Sequence, residues 1–260
     1  MNILIANDDG VYKEGIQTLA NALATLPDAK IYVFGPDRER TCSSHGMTLR
    51  DPIILKEYDK TDFDRVEMAY SCSGTPSDCV KVGLELLESK GINIDLICTG
   101  VNHGPNIGGD IIYSGTVASA MEGPMHKIPS IAFSQCSHRD ENFPNFMKIV
   151  PEIVKKYAGL IPPGVMVNVN APDIPWGEIK GYRICRVGPF DYSEHYDIEE
   201  TEDGNLSFKY KMEDLDLGDH DEWDNVSVRK GYISISAMYY HYDVEEVEDA
   251  LRKVKLDLQF

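Results

Sequence analysis

The chain has 260 residues, 42% hydrophobic and 26% charged, with a formal net charge of -18. That length can bury a sizeable core, as one large α/β domain or a domain with a smaller appendage. So acidic a surface, with no compensating basic patch, excludes binding along a nucleic-acid polymer, and no segment is long and apolar enough to span a bilayer. A small phosphate ester is not excluded, because a bound divalent cation reverses the field locally whatever the global charge. The six cysteines, Cys42, Cys72, Cys79, Cys98, Cys136 and Cys185, form no C-x-x-C pair and match no zinc spacing. Reduced thiols in a cytoplasmic protein are expected. The start, MNILIANDDG, enters a strand at once without a basic region or cleavage site, so no export signal is expected.

The apolar run at 3–6 predicts a buried parallel strand. Helical spacing follows over 15–26, with Ile16, Leu19, Leu23 and Leu26 on one face, and 31–34 is a second strand. Thr75, Pro76 and Asp78 mark a helix start, with Thr75 as N-cap, Pro76 first in the helix and Asp78 at its positive end. Residues 95–98 predict the next strand, Ser114 opens a helix running to about Glu122, and 130–133 is a further strand. A helix over 145–157 and a strand over 165–169 complete this rhythm. Strands alternating with helices predict an α/β fold with a Rossmann-like, mostly parallel sheet flanked by helices. From 182 to 228 the chain is acidic and rich in aromatics, among them Tyr192, Tyr196, Phe208, Tyr210 and Trp223. It reads as an extended C-terminal β-hairpin or arm, either an oligomer contact or an ordinary surface excursion. Residues 231–238 predict a late strand and 244–254 a C-terminal helix. The expected organisation is a catalytic core over 1–181 and a hairpin arm and oligomerisation region over 182–260 that returns to the core.

In open α/β sheets ligands bind beyond the carboxyl ends of the strands. Asn7, Asp8, Asp9 and Gly10 follow the first strand. Adjacent carboxylates repel unless a cation lies between them, and such oxygen donors suit Mg2+ or Mn2+. The loop after the second strand carries Arg38, Arg40, Thr41, Ser43, Ser44 and His45. Its hydroxyls can donate to a metal, and its arginines can meet a phosphate. After the strand at 95–98 comes TGVNHGPNIGGD, where Asn102 and Asn106 can coordinate a cation or hold a base or sugar. Ser114, Gly115 and Thr116, at a helix start, supply hydroxyls and free N–H groups for an anion, although Ser114 also reads as a simple N-cap. A carboxylate pair, a hydroxyl loop, an asparagine loop and a helix N-terminus at strand ends together fit metal-assisted phosphoryl chemistry.

These segments resemble the SurE (survival protein) family: NDDG at 7–10, PDRER at 36–40, SGTPSDCVK at 73–81, GVNHGPNIGGD at 100–110 and YSGTV at 113–117. MEGPM at 121–125, NVNAPDIP at 168–175 and GYISIS at 231–236 add weaker matches, in order along nearly the whole chain. The resemblance implies a Rossmann-like core with a swapped C-terminal arm, a homodimer or homotetramer, and a divalent-metal nucleotidase. Implied substrates are nucleoside 5'-monophosphates, often 3'-nucleotides, and sometimes short polyphosphate. It also implies one cation per subunit on Asp8, Asp9, Thr41 and Asn102. Thr41 departs from the usual serine but keeps the hydroxyl. The family pattern after GYISIS continues with proline and then histidine, whereas this chain has Ala237, Met238 and Tyr239, with His241 beyond.

The expected reaction is hydrolysis of a phosphate monoester. Asp8 and Asp9 act on the metal, and Asn7, Ser43, Asn106, Ser114, Gly115 and Thr116 serve phosphate or substrate. The general base is left between Asp8, Asp9 and His45. Two rivals are an aspartyl-phosphate enzyme, whose D-x-D pattern this chain lacks, and a non-catalytic metal- or nucleotide-binding regulatory protein. Receiver domains of the second kind need a later phospho-accepting aspartate, and residues 99–102 offer none.

Overall fold

A computed structural model of the protein describes residues 1–137, 143–240 and 252. The opening apolar run forms β1 (Asn2–Ala6), in which Ile3, Leu4, Ile5 and Ala6 are fully buried. Ile3 and Ile5 join a core on one face, with α1 (Glu14–Ala24) and α4 (Phe146–Tyr157). Leu4 and Ala6 join a second core on the other face, with α2 (Pro76–Ser89). A strand covered on both faces needs no polar alternation, hence the continuous apolar run. Each such Leu or Ile contributes about 1.5–3 kcal/mol by leaving water.

The remaining strands are β2 (Lys30–Pro36), β3 (Leu55–Glu57), β4 (Met68–Cys72), β5 (Leu96–His103), β6 (Ser130–Cys136), β7 (Val165–Pro172), β8 (Tyr182–Cys185), β9 (Tyr192–Glu200), β10 (Leu206–Asp214) and β11 (Ile233–Tyr239). Nine of them form one sheet in the order β3-β4-β2-β1-β5-β6-β7-β11-β8. Among the described residues only β3–β4 and β7–β11 pair antiparallel within it. Two helices complete the frame, α3 (Gly115–Met125), packed beside α2, and α5 (Asp224–Arg229). Among the described residues no helix is long and apolar enough to cross a membrane, and all six cysteines are free.

The start of α2 is a full capping box: Asp78 N donates to Thr75 Oγ1 at 3.1 Å and Thr75 N donates to Asp78 Oδ2 at 2.9 Å. Asp78 therefore does more than favour the positive helix end; it satisfies the N-cap amide. Three sequence expectations change. The short strands β3 and β4 were not anticipated. β5 runs on to His103 instead of stopping at Cys98, with an irregular register between Thr99 and Asn102, so Asn102 sits on a strand end. The stretch 182–228 is not one arm: β8 pairs with β11 in the main sheet, β9 and β10 form the separate hairpin, and α5 follows. The helix expected over 244–254 and His241 lie outside the described residues.

The hairpin register places Phe208 opposite Ile198 and Tyr210 opposite Tyr196. Leu206, Phe208, Tyr210, Met212, Tyr196 and Ile198 therefore share one face, and all are exposed. A two-stranded ribbon has nothing of its own to cover such a face.

Candidate metal and phosphate site

From β1 the chain steps outward to β2 and β4, and from β5 it steps the other way to β6 and β7. The order reverses between β1 and β5, which opens a crevice beyond their carboxyl ends. Asp8 and Asp9 leave β1 there, and Asn102 lies one residue before the end of β5 beside them. Gly10, at φ 122°, turns the chain back in a conformation that L side chains rarely adopt. Asn7 closes this turn, donating from Nδ2 to Gly10 O at 2.9 Å. Its buried Oδ1 has no partner among the described residues.

Asp8 is 4% exposed and accepts from Thr116 Oγ1 at 2.7 Å and Thr116 N at 3.2 Å. The same Thr116 hydroxyl lies 3.4 Å from Asn102 Oδ1, while Asn102 Nδ2 donates to Gly104 O at 2.9 Å and so fixes which way the amide faces. Asp9 accepts from His103 N at 3.3 Å. Burial raises the pKa of Asp8 against the pull of the Thr116 hydrogen bonds. Burial first, and the neighbouring Asp8 charge second, push Asp9 up to about 7. The raised values reflect two carboxylates in water-poor surroundings, which is what a cation between them would reverse.

Gly115 explains how α3 approaches so closely. A Cβ there would stand 2.9 Å from Asp8 Cβ, 3.0 Å from Asp8 Oδ2 and 2.7 Å from Ser43 Oγ. Ser114 is the N-cap, accepting from Val117 N at 3.0 Å. The positive end of α3 thus faces the Asp8 carboxylate, and Thr116 anchors Asp8 with both its hydroxyl and its amide. Ser43 Oγ is buried beside this point without a partner among the described residues.

The loop after β2 is tied down by its backbone: Arg40 N donates to Asp8 O at 2.7 Å. Arg40 is itself a strut, with Nη2 donating to Ser73 O at 2.6 Å and lying 3.6 Å from Asp37. Arg38 is exposed. Thr41 is exposed and donates to Glu39 Oε1 at 2.8 Å. His45 meets Glu122 Oε1 at 2.8 Å, about 12 Å along α3 from its N-cap. That bond takes one ring nitrogen and ties the loop after β2 to α3.

Asn106, 5% exposed, is buttressed from within the sheet. Its N donates to Asn170 Oδ1 at 2.9 Å, its O accepts from Asn168 Nδ2 at 2.8 Å and Asn170 Nδ2 at 3.0 Å, and its Nδ2 donates to Ser134 Oγ at 2.8 Å. Asp224, fully buried, accepts from Gly108 N at 3.2 Å and Gly188 N at 2.9 Å. Thr99 Oγ1 donates to Thr116 O at 2.8 Å. Ser134, Asn168, Asn170, Asp224 and Thr99 escaped sequence reasoning. For the asparagines the signal was there, in two amides at alternate positions of an apolar run, VMVNVNAP.

Among the described residues no group of three or more His, Cys, Asp or Glu could hold a metal. A cation at this crevice would therefore rest on two carboxylates plus neutral oxygens, from Asn102 and from the Thr41 hydroxyl expected from the sequence. That hard, all-oxygen set fits Mg2+ or Mn2+ and not zinc. A small cleft of about 90 Å³, lined by Asp9, Lys13, Glu14, Gly15, His103 and Phe143, opens beside it. A larger cavity of about 820 Å³ lies elsewhere, between α4 and β11, and is lined mostly by apolar groups such as Ile149, Ile153, Trp176 and Ile235. Its polar lining is Lys148, Glu152, Lys156, Tyr157 and Tyr182, with no Asp, Asn, Ser or Thr to hold a hard cation, so size does not identify the site here.

The sequence model of the family described as Survival protein SurE matches residues 3–194. The curated 5'-nucleotidase SurE of Synechococcus elongatus is 38% identical over 252 residues, covering 94% of this chain and 96% of that protein. The 5'-nucleotidase SurE of a Nostoc species is 40% identical over 252 residues, covering 93% of each. The crystal structure of the SurE protein from Aquifex aeolicus matches with a TM-score of 0.84 at 33% identity, over 97% of this chain and 98% of that one. With its motifs in order, its sheet reversed at the NDDG turn and its length matched almost end to end, the chain belongs to the SurE family.

Proposed function

We propose that this protein is a divalent-metal-dependent phosphatase of nucleoside 5'-monophosphates, with 3'-nucleotides and short polyphosphate as further substrates. One observation carries the reading: Asp8 and Asp9, both with raised pKa, meet Asn102 and the N-terminus of α3 at the sheet's switch point. The relatives' name, 5'-nucleotidase, supports the substrate class.

In this reading Asp8, Asp9, Asn102 and the Thr41 hydroxyl hold one Mg2+ or Mn2+ per subunit. When bound, the cation supplies positive charge at the phosphoryl oxygens and a water of lowered pKa. Thr116 keeps Asp8 in place for this, and Asn102 is held by its bond to Gly104. Ser43 Oγ, Ser114, Gly115 and Thr116 border the space where phosphate oxygens sit, and the partial positive charge of the helix start favours them. Asn7 supports the turn, and Asn106 braces the asparagine loop from behind. Asp9, through the carboxylate oxygen that is not on the cation, would accept a proton from the attacking water. We also read the apolar hairpin face as a contact between copies, in a homodimer or homotetramer, and the free cysteines as support for a cytoplasmic location.

The test is a phosphate-release screen of the purified protein across nucleoside monophosphates, with and without EDTA. Release from 5'-monophosphates that EDTA abolishes is expected. Asp8→Asn should lose most of it, and wild-type turnover by that variant at saturating Mg2+ or Mn2+ would sink the assignment. Metal binding with no phosphate released from any nucleotide would instead indicate a regulatory protein.

A further inference from the structure

We infer that Glu122 is a positioning residue of the phosphate site: through His45 it clamps the loop after β2 onto α3 and so sets the Ser43 hydroxyl over Gly115. The inference rests on the functional reading above and deepens it.

Glu122 lies in the third turn of α3, fully buried. A carboxylate there is costly unless its oxygens are paired. Both are: Oε1 meets His45 Nε2 at 2.8 Å and Oε2 accepts from Lys81 Nζ at 2.9 Å, while His126 Nε2 stands further off at 3.8 Å. Burial alone would raise its pKa, but the bonds from His45 and Lys81 outweigh burial and leave it below the usual carboxylate value. One side chain thereby joins α3, α2 and the loop after β2. None of these groups touches Asp8 or Asp9, so the proposed chemistry does not require them there.

The loop has a reason to need a clamp. Cys42 and Ser44, the two residues flanking Ser43, have φ of 56° and 51°. Neither is glycine, and the left-handed region disfavours both. Such a loop keeps its shape only where surrounding contacts fix it. Ser44 supplies two, from N to Tyr113 O at 3.0 Å and from Oγ to Ile112 O at 2.7 Å. The next residue, His45, supplies the link to Glu122. Between Cys42 and these anchors, Ser43 Oγ is presented in a buried position with no partner among the described residues, 2.7 Å from where a Gly115 Cβ would be. It thus stands at the N-terminus of the same helix that carries Glu122, where the functional reading puts the phosphate.

The test is a double-mutant cycle on the full-length protein loaded with Mn2+, using Ser43→Ala, Glu122→Gln and the pair together. The readouts are KM and kcat for a nucleoside 5'-monophosphate, the affinity for inorganic phosphate by calorimetry, and Mn2+ affinity by electron paramagnetic resonance. Ser43→Ala and Glu122→Gln should each weaken phosphate binding and raise KM by roughly tenfold, the loss of one hydrogen bond to a charged group. Mn2+ affinity should stay within about twofold, and the double variant should be no worse than about twofold below Ser43→Ala, because the two changes remove one contact. Fully multiplicative losses, or a fall in Mn2+ affinity matching the fall in phosphate affinity, overturn the inference. His45→Ala, a change at a partly exposed side chain, must reproduce the KM effect and keeps the test open if Glu122→Gln does not fold. A His45→Ala protein with wild-type KM overturns it. If the wild type releases no phosphate from any nucleotide, the functional reading fails, while the phosphate-binding cycle still decides the role of Glu122.

Discussion

Replacing Gly115 by Ala probes how closely α3 must approach the carboxylate pair. The added Cβ would lie 2.9 Å from Asp8 Cβ and 3.0 Å from Asp8 Oδ2, where ordinary contacts begin at 3.4 Å. Asp8 cannot simply retreat, because Thr116 holds it at 2.7 Å through the hydroxyl and at 3.2 Å through the amide. The Ser43 hydroxyl, 2.7 Å away and without a hydrogen-bond partner among the described residues, can rotate aside, but the Asp8 contact remains. Either α3 or Asp8 must shift by about half an ångström, and overpacking of this kind costs about 1–3 kcal/mol. For a chain of this size, at about 2–4 °C per kcal/mol, that lowers Tm by about 2–12 °C. The effect on turnover should be larger than on stability, because a misplacement of about 1 Å can cost about a hundredfold in rate. Thermal denaturation, Mn2+ titration and phosphate release, measured on one preparation, separate these effects. Gly159→Ala is the control: nothing lies within 4 Å of its Cβ position and its φ is not positive, so its Tm should be unchanged or slightly raised. A Gly115→Ala protein with wild-type Mn2+ affinity and turnover would refute the close-approach argument.

Proton linkage gives the next expectation. Asp9 is raised from 3.8 to about 7 in the cation-free protein, so the folded state binds more protons than the unfolded chain between those values. The cation-free fold therefore loses stability as pH rises from 3.8 to about 7. Mn2+ needs the ionised carboxylate and binds more tightly over the same interval. The Mn2+-induced rise in Tm should accordingly be larger at about pH 8 than at about pH 6; a rise independent of pH counts against it. Asp224→Ala leaves the Gly108 and Gly188 amides without their acceptor, at about 1–3 kcal/mol each. Its Tm should fall and kcat/KM with it, whereas a wild-type melting curve would show that Asp224 braces nothing. Phe208→Asp puts a charge in the apolar hairpin face, and sedimentation should show a smaller assembly than the wild type; an unchanged mass removes β9–β10 as the contact.

What could be read from the sequence followed from local chemistry. The strand at 3–6 is apolar on both faces because helices cover both, and the carboxylates follow at its end. Thr75, Pro76 and Asp78 act within one helical turn, so their spacing announces the cap. β4 was hidden because its five residues, MAYSC, alternate between buried and half-buried without a period. β5 was cut short because glycine at position 100 and the polar residues after Val101 look like a loop, although the backbone goes on pairing with β6 as far as His103. Interactions between distant segments were out of reach altogether. His45 and Glu122 are 77 positions apart and Lys81 and Glu122 are 41 apart, and no local pattern connects them. For His45 in particular, nothing near it in the chain reveals that a carboxylate from another element meets one of its ring nitrogens.

The placement of α3 draws these features together. Its first turn meets Asp8 through Thr116 and leaves room at Gly115 for the carboxylate and for Ser43. Eight residues beyond its N-cap, Glu122 holds the loop that carries Ser43. A rigid helix thus fixes two parts of the site relative to each other: the carboxylate that would hold a cation and the hydroxyl that would face a phosphate. Tilting α3 would displace both at once, whereas loosening the His45 link would release only the hydroxyl. Metal affinity and phosphate affinity should therefore fall together in Gly115→Ala and separately in His45→Ala, and that contrast distinguishes a helix that organises the site from one that merely lies beside it.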